Sequence, residues 1–274
     1  MHTLVVTNDF PPSAGGIETF VSQLAGRFPP DQVTVLASTR APFSPAPLAR
    51  SDAALPYQVI RHPARTLLPT PAVAKFAARA ARQAGAESAW FGVAAPLALM
   101  APALRRQADL ARVVAATHGH EVWWAAVPGL SQALRRIGDG VDAITYLNDY
   151  TGRRIARALS PAARRRMVRL TPGITPEPVP HNQMPDAAEA GSSPDRQSAG
   201  PVVLCVSRLV PRKGQDQLIR AWPAVTAVHP EARLVIAGTG PYQAKLSRMA
   251  AASPASGSIR LTGAVPQDQL ADLY

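Results

Sequence analysis

The chain of 274 residues is poor in cysteine, in lysine and in long apolar runs, and these shortages exclude several classes of protein. Its one cysteine, Cys205, excludes an intramolecular disulfide and a metal cluster built on cysteines. No apolar run approaches the roughly 18 residues that a membrane-spanning helix needs. The N-terminus turns polar too early for a secretory signal, so we expect a cytoplasmic location.

Three short motifs are also missing. No two acidic residues are separated by a single residue, so the chain has no Asp-x-Asp, the pair that commonly holds a nucleotide sugar through a divalent cation. The first glycine loop is neither Gly-x-Gly-x-x-Gly nor a P-loop, which argues against a nicotinamide-dependent oxidoreductase. A nucleic-acid-binding module would need a recognised motif or aromatics among its basic residues, and the sequence has no such motif and few such aromatics.

Acidic residues are in the minority. The chain has 29 basic and 18 acidic residues, a net charge of +11, and only three of the basic residues are lysines. Residues 1–170 contain 20 basic and 10 acidic side chains, whereas residues 171–274 contain 9 and 8. The excess charge therefore belongs to the first part of the chain. It would attract nucleic acid, anionic lipid or anionic small molecules, without choosing among them.

The apolar pattern alternates between short β-branched runs and segments with helical spacing. Strands are predicted near residues 4–7, 33–37, 57–60, 88–91, 113–116, 144–146, 167–170, 202–206, 234–237 and 259–261. Helical patterns lie between many of them, as at Ile17, Phe20, Val21 and Leu24. Strands and helices in alternation predict an α/β fold with mainly parallel sheets covered by helices on both faces.

The pattern divides the chain into three parts. Residues 1–170 form an N-terminal Rossmann-like domain, and the segment 171–200, rich in Pro, Gly and Ser, forms a linker. Residues 201–274 contain three strands and three helices, which is the first half of a second doubly wound domain. We therefore expect a second domain that is incomplete, with an exposed sheet edge, in a chain that is truncated or needs a partner.

Three loops that follow predicted strands are candidate sites. Gly15 and Gly16 open a helix whose free N–H groups could bind an anion, or they form a plain tight turn. Arg208 and Lys213, with Arg212, precede another helix start, where cations are unfavourable unless an anion such as a diphosphate binds, the alternative being a solvated charge cluster.

The third loop carries His118, in the run Thr117-His118-Gly119-His120-Glu121. No other histidine cluster or cysteine pair supports a metal there, so a sugar or phosphate contact is favoured. The alternative is a buried histidine with a satisfied hydrogen bond.

A basic stripe lies on the helix predicted over residues 72–83. Lys75, Arg79 and Arg82 recur at helical spacing beside apolar positions. Such a helix suits an anionic membrane surface, and the alternative is an ordinary helix packed on the protein surface.

Five blocks in order along the chain resemble the retaining glycosyltransferases of family four, which have the GT-B fold of two Rossmann-like domains. Within that family they are most similar to the phosphatidylinositol monomannoside mannosyltransferases. The blocks are TNDFPP at 7–12, WFGVAAPLAL at 90–99, THGHE at 117–121, RRIGDG at 135–140 and SRLVPRKGQ at 207–215.

The resemblance implies roles for individual residues. Gly15 and Gly16, with Asp9 nearby, would form the acceptor site, and His118 would contact the donor mannose. Arg208 and Lys213 would hold the diphosphate of GDP-mannose and stabilise the leaving GDP. The remaining implied contacts to the nucleotide come from Gly238, Gly240 and, through its backbone, Val265.

The resemblance also implies the partners. They are GDP-mannose, a phosphoinositide-type lipid acceptor and an anionic membrane surface, with no metal cofactor and no nucleic acid, at the inner face of the plasma membrane. A pair of glutamates that this family uses at the donor site would lie beyond Tyr274. Two alternatives therefore stay open: an inactive fragment that binds the acceptor lipid, and a family-four enzyme with another nucleotide sugar and acceptor. The oligomeric state is left open.

Overall fold

The computed structural model describes residues 1–13, 15–39, 44–173 and 200–265. Two compact units make up the chain, Met1–Thr175 and Pro176–Tyr274. Most of the segment expected as a linker, 171–200, lies outside the described residues.

Within its described residues, the N-terminal unit is built on seven parallel strands in the order β3-β2-β1-β4-β5-β6-β7. The strands are β1 (Thr3–Thr7), β2 (Val33–Ser38), β3 (Gln58–His62), β4 (Ser88–Phe91), β5 (Arg112–Ala116), β6 (Ala143–Tyr146) and β7 (Met167–Arg169). The order reverses between β1 and β4, which is where open α/β sheets bind ligands, beyond the carboxyl ends of the strands.

Eight α-helices in the described part of this unit accompany the strands. They are α1 (Gly16–Ala25), α2 (Pro45–Ala53), α3 (Pro71–Gln83), α4 (Ala101–Ala108), α5 (Glu121–Ala126), α6 (Leu130–Gly140), α7 (Asp149–Ala156) and α8 (Pro161–Arg164). A 3₁₀ turn over Leu97–Met100 precedes α4, so the helical stretch from Leu97 to Ala108 is divided. Pro102, in the first turn of α4, accounts for the division because it cannot donate a hydrogen bond into the preceding turn.

The central strands are buried on both faces because helices cover both sides of the sheet. Leu4 and Val6 of β1 belong to one apolar cluster, whereas Val5 belongs to the other with Val21 of α1. All five residues of β1 and all six of β2 are buried. Continuous β-branched runs are the sequence pattern of such strands, so the predicted strand positions agree closely with the structure.

The basic helix expected over residues 72–83 corresponds to α3. Its apolar side is packed into the core through Val73, Ala77 and Ala81, and α3 lies against α4 and β1. Lys75 and Arg79 are exposed on the opposite side. The apolar side of this helix is therefore already used by the fold, and its cations face solvent.

The C-terminal unit, as far as the structure describes it, has three parallel strands in the order β10-β9-β8. Its elements are β8 (Val202–Val206), α9 (Gln215–Val228), β9 (Arg233–Ala237), α10 (Gln243–Ala251) and β10 (Ile259–Gly263). Ile219 and Trp222 of α9 pack with Leu234, Ile236 and Leu246 in one core. Across both units, none of the helices in the described ranges is long and apolar enough to cross a membrane.

Candidate functional site

The loop after β5 brings His118 to the point where the sheet order reverses. The His118 Nε2 atom lies 2.6 Å from the carbonyl oxygen of Gly92, which directly follows β4. Because a carbonyl only accepts hydrogen bonds, Nε2 carries the proton and donates it. The ring of Phe20, from α1, meets the imidazole edge-on with 5.1 Å between ring centroids. His118 is thus fixed by the ends of two strands and by one helix.

Burial and charge act in opposite directions on His118. Burial lowers the pKa of His118 below its ordinary value and is the dominant cause. The hydrogen bond to Gly92 and the charges of Glu121 and Asp9 raise the pKa, whereas the charge of His120 lowers it. The net lowering favours a neutral imidazole at neutral pH. Asp9, which was predicted for the acceptor site with Gly15 and Gly16, is therefore close enough to act on His118.

Two side chains hold the loop that follows β1. The Asn8 Nδ2 atom donates to the Leu67 carbonyl at 3.0 Å, and the Leu67 N–H donates to Asn8 Oδ1 at 2.7 Å. Arg61, at the end of β3, forms an ion pair with Asp52 at 2.6 Å and also donates to the carbonyl oxygen of Pro11. These contacts bridge distant parts of the chain, and they position the backbone that leads to Gly15.

Gly15 and Gly16 stand at the start of α1, as predicted. A Cβ atom on Gly15 would lie 2.3 Å from Oε2 of Glu18, so the Glu18 carboxylate lies over this helix start. Gly16 is exposed, and a Cβ atom added to it would meet nothing within 4 Å. The helix start is therefore open at Gly16 and covered by a flexible acidic side chain at Gly15.

The loop after β8 presents the predicted cations to solvent. Arg208, Arg212 and Lys213 are all exposed. Residues Pro211–Lys213 form a 3₁₀ turn, and α9 begins at Gln215, with Gly214 as the single residue between them. Across the described ranges, neither Arg208 nor Lys213 takes part in an ion pair. Two exposed cations beside a helix N-terminus make a site suited to an anion.

Gln215 fixes that loop from below. Its side chain is fully buried, and its Nε2 atom donates to Ser207 Oγ at 2.8 Å and to the Arg208 carbonyl at 3.0 Å. Its Oε1 atom is buried without a hydrogen-bond partner among the described residues. Gln215 therefore orders the backbone that carries the cations while it contributes no charge.

Gly238 and Gly240 press the loop after β9 against the loop after β8. A Cβ on Gly238 would lie 2.0 Å from the Ser207 carbonyl oxygen, and one on Gly240 would lie 2.3 Å from that of Leu209. Gly238 also has a φ of +136°, which other residues rarely adopt. Val265 is partly buried just after β10. The predicted residues of this unit thus gather at the carboxyl ends of its strands.

The described residues contain no group of three His, Cys, Asp or Glu side chains that could together bind a metal ion. The metal-free reaction expected from the sequence stays a prediction.

Several residues that shape these sites were not assigned a role from the sequence. They are Asn8, Arg61, Glu121 and Gln215. Their partners are carbonyls, amides and hydroxyls of other loops, and composition or periodicity gives no signal for such pairs. Only the first-turn positions of Glu121 and Gln215, directly after candidate loops, could have drawn attention to them.

Known proteins similar to this chain include phosphatidylinositol monomannoside mannosyltransferases. A family model described as "Glycosyl transferases group 1" matches residues 189–274. A GDP-mannose-dependent monoacylated alpha-(1-6)-phosphatidylinositol monomannoside mannosyltransferase of Corynebacterium glutamicum is 42% identical over 253 residues, 90% of this chain and 64% of the relative. A GDP-mannose-dependent alpha-(1-6)-phosphatidylinositol monomannoside mannosyltransferase of Mycobacterium tuberculosis is 41% identical over 98% of this chain and 69% of its own length.

Solved structures of glycosyltransferases have a fold similar to that of this chain. Anabaena Alr3699/HepE in complex with UDP matches with a TM-score of 0.68 at 16% identity, covering 98% of this chain and 71% of that one. WaaG, a glycosyltransferase involved in lipopolysaccharide biosynthesis, matches with a TM-score of 0.61 at 15% identity, covering 99% and 72%. This chain spans about two thirds of the length of the relatives it matches. It has a GT-B type of α/β fold and belongs to the family of the phosphatidylinositol monomannoside mannosyltransferases among the group 1 glycosyltransferases.

Proposed function

We propose that this chain takes part in the transfer of mannose from GDP-mannose to a phosphatidylinositol mannoside lipid, with retention of configuration and without a metal ion. The observation that carries the proposal is the pair of exposed cations, Arg208 and Lys213, before α9. Relatives about 41% identical over nearly the whole chain are named as GDP-mannose-dependent mannosyltransferases. The absence of Asp-x-Asp from the sequence agrees with phosphate neutralisation by these cations.

The C-terminal unit holds the diphosphate in this proposal. Arg208 and Lys213 donate charge-assisted hydrogen bonds to the phosphate oxygens, and the N–H groups at the start of α9 add the favourable end of the helix dipole. Negative charge builds up on the departing GDP as the glycosidic bond breaks. Fixed cations at that position stabilise the transition state more than the ground state. Gly238 and Gly240 border the nucleotide, and the Val265 backbone contacts guanine.

The N-terminal unit provides the sugar and acceptor contacts. Because Nε2 of His118 donates to Gly92, Nδ1 of the neutral ring has a lone pair available to accept a hydrogen bond from a mannose hydroxyl. Asp9, Gly15 and Gly16 form the acceptor site, with the inositol phosphate at the open start of α1. Glu18 then has to swing away from Gly15 when the phosphate binds, because both carry negative charge.

The test is GDP affinity measured by calorimetry on the 274-residue chain. Arg208→Ala and Lys213→Ala should each weaken binding by about tenfold or more, since one charge-assisted hydrogen bond contributes about 1.5–3 kcal/mol. Arg248→Ala is the matched control, because it removes an equally exposed arginine from the last turn of α10. Equal affinity in all three variants would reject the diphosphate site.

We further propose that the protein acts in the cytoplasm, peripherally at the inner face of the plasma membrane. Most of the positive charge lies in residues 1–170, and α3 exposes Lys75, Arg79 and Arg82 while its apolar side is packed in the core. Attraction to anionic lipid through this helix is therefore electrostatic and does not need insertion of the helix.

Co-sedimentation with phosphatidylglycerol vesicles measures this attraction. The bound fraction should fall as salt is raised from about 50 mM to about 500 mM, because the Debye length shrinks. The double variant Lys75→Ala/Arg79→Ala should bind less than Arg248→Ala/Arg260→Ala, which removes the same charge from the C-terminal unit. Equal binding by both double variants would show that α3 does not contact the membrane.

A further inference from the structure

Glu121 is a carboxylate buried in the loop that carries His118. It is the first residue of α5, and none of its side chain is exposed to solvent. Its Oε2 atom accepts a hydrogen bond from the backbone N–H of His118 at 3.0 Å. A buried carboxylate is costly unless its oxygens are paired, so the surroundings of the second oxygen matter.

That second oxygen is poorly paired. Glu121 Oε1 lies 3.3 Å from Nε2 of His120, which is close enough for an ion pair when His120 is protonated. The His120 side chain is 43% exposed, and Oε1 is buried without a well-aligned hydrogen bond among the described residues. A neutral amide oxygen could accept the same hydrogen bond from the His118 N–H, so that bond alone does not account for a carboxylate at this position. The retained charge needs another explanation.

His118 supplies that explanation. Burial depresses the pKa of its imidazole, and the charge of Glu121 opposes the depression together with the more weakly acting Asp9. The chain can turn from His118 to Glu121 within three residues because Gly119 has a φ of +98°. A Cβ on Gly119 would meet only the Thr151 methyl group, at 3.5 Å, so the tight turn rather than crowding requires glycine there.

We propose that Glu121 is a positioning residue for His118. Its buried carboxylate anchors the backbone of the loop after β5 and supplies the negative charge that tunes the imidazole for exchanging a hydrogen bond with a sugar hydroxyl. The proposal rests on the sugar contact proposed above for His118. Glu121 itself does not reach the substrate, because both of its oxygens are shielded from solvent.

The experiment is an NMR titration of the His118 ring in the 274-residue chain, with its signals assigned by comparison with His118→Asn. Glu121→Gln keeps an oxygen that can accept from the His118 N–H but removes the charge, so the pKa of His118 should fall below that of the wild-type chain. Glu87→Gln removes an exposed carboxylate from the same unit and should leave the titration unchanged. An unchanged His118 titration in Glu121→Gln would overturn the proposal.

A second variant covers the case in which Glu121→Gln does not fold. Glu121→Asp keeps the charge but shortens the side chain by one methylene, which withdraws the oxygen from the His118 N–H. Hydrogen exchange at that amide should become about tenfold faster or more, and an unchanged rate would contradict the anchoring role. Neither measurement uses substrate, so both are independent of the sugar contact itself. Unchanged GDP-mannose affinity in His118→Ala would contradict that contact alone.

Discussion

Each of the two units has its candidate ligand-binding residues at the carboxyl ends of the strands of its own parallel sheet. The units differ in whether the charged residues of the site are buried or exposed. In the N-terminal unit His118 is partly buried and the carboxylate that serves it, Glu121, is wholly buried. In the C-terminal unit Arg208 and Lys213 are exposed, and the buried side chain beneath them, Gln215, is neutral. Burial makes the first site sensitive to protons, whereas exposure makes the second site sensitive to anions and salt.

The largest effect should come from the glycines of the C-terminal unit. Gly238→Ala and Gly240→Ala drive a methyl group into the backbone carbonyls of Ser207 and Leu209, which cannot move aside without displacing the loop. Each should lower the free energy of unfolding of this unit by about 1–3 kcal/mol, measured by denaturant titration. GDP affinity should fall with it.

Alanine substitutions at two further glycines, one in each unit, test whether the expected loss of stability depends on the atoms that surround the glycine. Gly257 has no atom within 4 Å of an added Cβ, so Gly257→Ala should leave stability and GDP affinity unchanged. At Gly15 the neighbour is the flexible end of Glu18, so Gly15→Ala should cost less than either glycine after β9. If Gly15→Ala proved as damaging as Gly238→Ala, the helix start of the N-terminal unit would be as rigid as the loop after β9.

A smaller effect should appear as a pH dependence confined to the N-terminal unit. Burial lowers the pKa of His118 in the folded state, so between that pKa and the ordinary value of 6.5 the unfolded chain binds more protons. The contribution of His118 to stability is present above pH 6.5 and is lost as the pH falls below it. We expect this loss to be smaller than the effect of the two glycine substitutions after β9, because it comes from a single ionisable group.

Hydrogen exchange in β1 and β4, at about pH 7.5 and about pH 5.5, measures this loss. His118→Asn should reduce the difference between the two pH values, and His229→Asn, an exposed position in the C-terminal unit, should not. Burial also lowers the pKa of His62, so the comparison between variants, rather than the wild-type profile, isolates His118. A wild-type pH dependence that persists in His118→Asn would mean that His118 is not the group responsible.

The sequence predicts the strands well and several helices poorly, for physical reasons. A short β-branched run such as the one in β1 is typical of a strand buried on both faces, so its position can be predicted from the local sequence. No helix is predicted over α6, although Leu130, Leu134 and Ile137 have helical spacing. No helix is predicted over α7, although Asn148 and Thr151 form a capping box at its start.

The candidate sites also contain residues that could be predicted from the sequence and residues that could not. Motif residues such as Arg208 and His118 could be chosen from the sequence because they follow strands, where parallel sheets bind ligands. The contacts that hold their loops could not, because a partner like the Asn8 side chain for Leu67 is separated from it by 59 residues. Only the folded chain brings such pairs together.

The most direct test of the division between the units is a chemical-shift map of backbone amides in the 274-residue chain. GDP should perturb amides of residues 207–215, except Pro211, and of residues 238–240, and leave residues 117–121 unchanged. Inositol 1-phosphate, the soluble headgroup of the proposed acceptor, should perturb residues 9–16, except the prolines, and leave residues 207–215 unchanged. Perturbation of the same set of amides by both ligands, or of residues 9–16 by GDP alone, would contradict the assignment of the GDP part of the donor and of the acceptor headgroup to separate units.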